Sequence, residues 1–271
     1  MRLEKIFSPA HFAFLQAVNG RFFSFQKART TEKERVMLLS SLLAVSDEQT
    51  QIVKWISVGA VVLLLAIIAI VGIFHRTESN RYDAKRIAFA GVCVACSFAL
   101  ALVKFKPVQY GGSITLASFV PLLIYAYVYG PSHGFIVGLI HGLLNFIESP
   151  YILTPATFVL DYLLAFASIG IMGFFGKKDR DRAVLPLILG CVCVFAARFA
   201  AHLCSGMIFF LQDAVWVSLP EWAMGNAFTY SFIYQCVYIP ADGFIATMVL
   251  FILAKTGVLQ KLTKLMRGKK S

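Results

Sequence analysis

The chain has 271 residues, 59% of them hydrophobic and 14% charged, with a formal net charge of +11. Ordinary soluble domains carry about a quarter charged residues, so this composition, with a mean hydropathy of +0.75, excludes a water-soluble enzyme and reads as an integral membrane protein. The basic residues sit in short loops and at the C-terminus, which fits membrane topology rather than a nucleic-acid-binding face.

Residues 1–52 read as an N-terminal extension. Its basic residues, Arg2, Lys5, Arg21, Lys27, Arg29, Lys33 and Arg35, all precede Met37. From Met37 to Ile52 the only charges are Asp47 and Glu48. The apolar run 53–74 is long enough for an additional transmembrane helix. If it spans, the basic extension lies outside, against the rule that positive loops stay cytoplasmic. A translational start at or near Met37 removes the conflict. A translocated basic extension, or a helix lying along the membrane, are the alternatives.

A basic loop, 75–86, carries Arg76, Arg81, Lys85 and Arg86. The segment 87–262 then reads as one six-helix domain, with candidate spans at 87–103, 114–129, 134–148, 155–175, 184–211 and 227–254. Gly111-Gly112, Gly130-Pro131 and Ser149-Pro150 punctuate it. Loop 176–182 holds Lys177, Lys178, Arg180 and Arg182. Lys255, Lys261 and Lys264 lead into a basic tail, 263–271, with Arg267, Lys269 and Lys270. The alternate loops carry Lys104 and Lys106, then Glu148, Asp213 and Glu221. This alternation places both ends of the domain in the cytoplasm. The expected fold is an all-α membrane protein: a six-helix transmembrane bundle with one additional N-terminal hydrophobic helix, multi-pass in a cell membrane.

Cys93, Cys96, Cys191, Cys193, Cys204 and Cys236 all lie in apolar runs and read as small hydrophobes. No P-loop, H-E-x-x-H or G-x-S-x-G motif is present, and no metal site is expected. If ATP drives transport, another subunit hydrolyses it. Asp83, Asp179, Asp181 and Asp242 read as charges at the membrane interface.

Four polar features need explaining. Asp161-Tyr162 interrupts an apolar run, where a carboxylate at mid-membrane costs about 2.5 kcal/mol or more. A cationic ligand, water, or a salt bridge to Arg198 would compensate. Arg198, His202, Gly206 and Phe210 recur every four residues as one stripe that lipid would not favour. Snorkelling or interhelical hydrogen bonds are the simpler accounts of Arg198 and His202. Tyr230, Tyr234 and Tyr238 form an aromatic ridge, and Gln235 beside it needs hydrogen-bond partners. Trp216, Trp222 and Tyr151 fall near helix ends, as interfacial anchors do. Gly91, Ala95 and Ala99 make a small-residue stripe suited to close helix approach, within the bundle or against a partner.

Several longer segments carry a resemblance. They include Gly-Gly-Ser-Ile-Thr-Leu-Ala-Ser-Phe-Val-Pro (111–121), Tyr-Gly-Pro-Ser-His-Gly (129–134) and Gly-Leu-Ile-His-Gly-Leu-Leu-Asn-Phe-Ile (138–147). Ser-Pro-Tyr-Ile-Leu-Thr-Pro-Ala (149–156), Leu-Asp-Tyr-Leu-Leu-Ala-Phe (160–166), Arg-Phe-Ala-Ala-His-Leu-Cys-Ser-Gly (198–206) and Tyr-Ser-Phe-Ile-Tyr-Gln (230–235) follow. In order and spacing, residues 86–262 resemble the thiamine-specific substrate-binding (S) components of energy-coupling factor transporters, the bacterial vitamin importers.

The resemblance implies a six-helix membrane bundle with a ligand site toward the outer face. It places the acid that pairs with the aminopyrimidine on Asp161, where the best-known members have Glu. Pocket tyrosines fall on Tyr162 and Tyr151, the basic residue on Arg198, the key histidine on His202 and the stripe glycine on Gly206. The stacking tryptophan is replaced by Phe210. The last-helix tyrosine and asparagine fall on Tyr230 and Gln235. The lid tryptophan finds no counterpart beyond Tyr110. The small stripe Gly91, Ala95 and Ala99 matches the surface that docks on a transmembrane coupling subunit, which works with two cytoplasmic ATPases. The implied function is high-affinity thiamine binding without enzymatic activity, with no cofactor on this chain and ATP hydrolysed by the partners. A stand-alone secondary transporter for a cationic solute, a membrane-embedded enzyme using Asp161, His202 and Arg198, and an S component for another vitamin are the alternatives.

Overall fold

Apolar runs that cannot satisfy their backbone in lipid except as helices dominate the architecture. The computed structural model describes residues 51–53, 55–64, 66, 83–105, 112–176, 184–212 and 219–268. The N-terminal extension with the Met37 question, the second half of the run 53–74, Tyr110, Asp179, Asp181 and Trp216 lie outside the described residues. In chain order the helices are α1 (51–64), α2 (Ala84–Ala101), α3 (Val120–Tyr129), α4 (Pro131–Glu148), α5 (Pro155–Phe175), α6 (Val184–Leu211), α7 (Ala227–Lys255) and α8 (Val258–Arg267). A short antiparallel hairpin, β1 (Lys104–Phe105) and β2 (Ile114–Thr115), pairs Lys104 with Thr115 and Phe105 with Ile114.

Local sequence sets the helix starts. Asp83 caps α2 by accepting from the Arg86 N–H at 2.8 Å. Gly130, at φ 95°, ends α3, and Pro131 opens α4 at once. Thr154 and Thr157 form a reciprocal capping box around Pro155 at the head of α5. Asn226 caps α7 through the Thr229 N–H at 2.8 Å.

Four of these helices, α2, α5, α6 and α7, are long and apolar enough to cross a membrane. α1 packs its Val53, Ile56, Ala60 and Leu64 against Ala156, Leu160, Leu164 and Ile208. α6 and α7 lie along each other, and α4 lies against α5. The expected span 114–129 is corrected. Its first residues form β2 and a turn through Ala117, at φ 56°, and only Val120–Tyr129 is helical. That helix is about 15 Å long, and Leu122 through Tyr129 are all buried. Hydropathy alone does not separate a helix buried in protein from one facing lipid, because both are apolar all round.

The α4–α5 seam rests on glycines. A Cβ at Gly138 would sit 2.3 Å from the Phe166 carbonyl oxygen, and one at Gly142 would sit 2.1 Å from that of Tyr162. The close-packed small-residue seam is therefore on α4. Gly91, Ala95 and Ala99 on α2 are exposed, and a Cβ at Gly91 meets nothing within 4 Å. α8 is amphipathic, burying Leu259, Thr263 and Met266, and the Tyr129 hydroxyl pins its end by donating to the Met266 carbonyl at 2.8 Å.

Candidate functional site

Side chains from α4, α5, α6, α7 and β2 enclose a cavity of about 520 Å³. Small-molecule sites occupy roughly 300–1,000 Å³. Exposure falls from the mouth, where Tyr151 is 39% exposed, to the floor, where His141 is 1% exposed. Lys104 and Glu148 form an ion pair at the mouth.

Asp161 stands on a π-helical stretch, Val159–Leu164. Such widened turns shift side chains out of α-helical register and recur at functional sites. The Nδ1–H of His202 donates to Asp161 Oδ1 at 2.8 Å, and the Ser205 hydroxyl donates to Oδ2 at 2.5 Å. The salt bridge considered between Asp161 and Arg198 is not made; His202 is the partner. Among the described residues His202 Nε2 has no hydrogen-bond partner, and it belongs to a residue lining the cavity.

The rest of the polar wall is held from behind. Gln235 donates its amide to the His202 carbonyl at 3.0 Å and accepts from the Tyr238 hydroxyl. Its demand for partners in an apolar helix is met. Gly206 lets α7 approach: a Cβ there would lie 2.3 Å from Ser231 Oγ, which donates to the Leu203 carbonyl at 2.7 Å. Arg198 is 8% exposed, with its guanidinium carbon 4.3 and 4.6 Å from the Phe119 and Phe166 ring centroids. Among the described residues its Nε and Nη1 have no hydrogen-bond partner.

Aromatic rings form the other wall. Tyr230 and Tyr234 stack at 6.1 Å, and the Tyr234 hydroxyl accepts from the Gly112 N–H at 2.9 Å. Tyr151 stacks on Phe209 at 5.1 Å. Desolvation at the mouth pushes the Tyr151 phenol up to about 12, so the ring stays neutral at physiological pH. The Tyr162 hydroxyl donates to the Ser149 carbonyl at 2.7 Å and accepts from the Tyr151 N–H at 3.0 Å.

The structure thus brings Asp161, Tyr162, Tyr151, Arg198, His202, Gly206, Tyr230 and Gln235 to one cavity. Phe210 is not among the lining residues; it packs on Tyr230 at 5.2 Å, and Phe209 lines the cavity instead. The four-residue spacing explains the difference. A helix turns about 100° per residue, so Phe210 is about 120° round from Arg198, whereas Ser205 and Phe209 are within about 20°. That 3.6-residue period was the available signal for Ser205 and Phe209. Asp242 is corrected as well: it is not an interface charge but is 3% exposed and lines the cavity. Its position well inside the apolar run 227–254 was the signal. Among the described residues, no three His, Cys, Asp or Glu side chains cluster to hold a metal ion.

An apolar helical exterior around an open-mouthed, ring-lined cavity with polar groups in its wall defines a membrane protein with a site for a small molecule. Residues 87–261 match the family model described as thiamine transporter protein (Thia_YuaJ), and the chain belongs to that family. It is a family of transporters, not enzymes. The chain is 32% identical over 161 residues to the thiamine transporter ThiT of Bacillus subtilis (strain 168), covering 56% of this chain and 80% of that protein. Its fold is similar to that of ThiT from Listeria monocytogenes, with a TM-score of 0.52 at 24% identity, over 66% of this chain and 94% of the other. The resemblance read from the motifs between 111 and 235 agrees with this membership.

Proposed function

We propose that this chain is the thiamine-binding S component of an energy-coupling factor importer in a bacterial cell membrane. The observation that carries the reading is Asp161, held between His202 and Ser205 inside a ring-lined cavity. Thiamine joins an aminopyrimidine to a permanently charged thiazolium. A fixed carboxylate accepts from the aminopyrimidine's amino group in a charge-assisted hydrogen bond. Tyr151, Phe209, Tyr230 and Tyr234 offer faces to a cation, each contact worth about 0.5–2 kcal/mol. The six helices α2–α7 are taken as the membrane bundle, with the mouth near Tyr151 outward and both ends of the bundle cytoplasmic, a reading the bias of basic residues between loops supports.

A transmembrane coupling subunit and two cytoplasmic ATPases supply the energy in this reading. The exposed stripe Gly91, Ala95 and Ala99 is the docking face. Small residues there let a partner helix approach to backbone distance. Calorimetric titration of the purified chain with thiamine, thiamine pyrophosphate and riboflavin tests the ligand. Saturable heat with thiamine and none with riboflavin supports it; no heat with thiamine refutes it. Ala95→Leu tests the docking face: binding is retained and uptake into cells is lost. Normal uptake by that variant removes the stripe from the interface.

A further inference from the structure

We infer that Asp242 is a specificity-determining residue of the cavity, whose carboxylate supplies the net negative charge that makes the site prefer a cation to an uncharged molecule of the same shape. The inference rests on the proposed thiamine reading. Asp242 lies on α7, two residues after Pro240, and lines the cavity at 3% exposure. Its Oδ1 accepts from both the Thr115 N–H at 3.1 Å and the Thr115 hydroxyl at 2.8 Å. Among the described residues, Oδ2 takes no hydrogen bond.

Among the described residues no cation makes an ion pair with this group, and the Arg198 charge acts on it only through space. Among the described residues the ion pair of the lining joins Lys104 to Glu148, while the His202 imidazole meets Asp161 as a hydrogen bond. Arg198, the other permanent cation of the lining, rests against Phe119 and Phe166 and makes no ion pair. With the imidazoles neutral, three carboxylates (Glu148, Asp161 and Asp242) face two cations (Lys104 and Arg198). One negative charge is left in excess, which complements a single positive charge on a ligand.

The carboxylate is also held in place. Thr115 is fixed by the Ser118 hydroxyl at 2.6 Å, and the Ser118 carbonyl accepts from Ser97 on α2. An unneutralised carboxylate in low dielectric is costly, so it persists where a structure holds it and where a bound partner relieves it. A purely structural Asp242, serving only to tie β2 to α7, would be replaced by asparagine without any change in charge preference.

The test compares thiamine with deazathiamine, in which a neutral thiophene replaces the thiazolium while the aminopyrimidine is kept. Dissociation constants are measured by calorimetry on the full chain in detergent. Asp242→Asn is expected to weaken thiamine by about tenfold or more and deazathiamine by under about threefold, collapsing the preference for the cation. Asp161→Asn, which acts on the shared aminopyrimidine, weakens both. Retained deazathiamine binding shows that Asp242→Asn is folded. If Asp242→Asn does not fold, Asp242→Ser, which also removes the charge while keeping a polar group beside Thr115, is read by the same ratio. A wild-type chain that binds thiamine, with a cation preference unmoved in these variants, overturns this inference alone. A wild-type chain that does not bind thiamine overturns the functional reading and this one with it.

Discussion

Replacing Asp161 by asparagine isolates the charge at the centre of the site. The side chain keeps its shape, and Oδ1 still accepts from the His202 Nδ1–H. The second position becomes an amide that donates to Ser205, whose hydroxyl now accepts. The two local contacts therefore survive with their charge assistance removed. A hydrogen bond to a charged group contributes about 1.5–3 kcal/mol, against about 1 kcal/mol for a neutral one. The ligand-facing bond also loses an acceptor where the asparagine presents N–H. The expected loss is about 1.5–3 kcal/mol, or roughly 10- to 150-fold in the dissociation constant. Titration calorimetry of wild type and variant with thiamine measures it directly. An unchanged dissociation constant would show that the ligand does not touch Asp161.

Ser205→Ala removes one of the two donors holding Asp161; thiamine affinity falls by about 1 kcal/mol, near fivefold, and a full-strength titration would show that Ser205 does not position the carboxylate. Phe209→Leu loses the stack on Tyr151 and weakens binding by about 0.5–1.5 kcal/mol. Phe210→Leu costs less in the same titration, and the reverse order would contradict the α6 register. Gly142→Leu drives a Cβ into the Tyr162 carbonyl and destabilises the bundle by about 3 kcal/mol or more. A lowered melting temperature with loss of the monodisperse chromatographic peak reads this out. Gly91→Leu, on an open face, leaves the melting temperature unchanged.

Much of this architecture was legible before any coordinates. The expected spans 155–175 and 184–211 coincide with α5 and α6, and 227–254 falls one residue short of α7. Long apolar runs bounded by charge leave the chain little choice in lipid. Asp161, His202 and Gln235 were legible because each is a polar group that lipid penalises. α3 was misread because an eleven-residue apolar run before Gly130 looks the same whether protein or lipid surrounds it. The β1–β2 hairpin was missed because each strand is two residues long, too short for alternation to show. Phe209 and Ser205 were missed because a four-residue stripe drifts round the helix, whereas a 3.6-residue one does not. Asp242 was grouped with loop acids when its long apolar flanks set it apart.

The glycine seam between α4 and α5 has a mechanical consequence. Where main chain meets main chain at Gly138 and Gly142, no side chain stands between them to rearrange. That flank of the vestibule behaves as a fixed jamb. Breathing that admits a solute falls to the opposite flank, where a turn of the Tyr234 ring costs its stack on Tyr230 and its hydrogen bond from the Gly112 N–H.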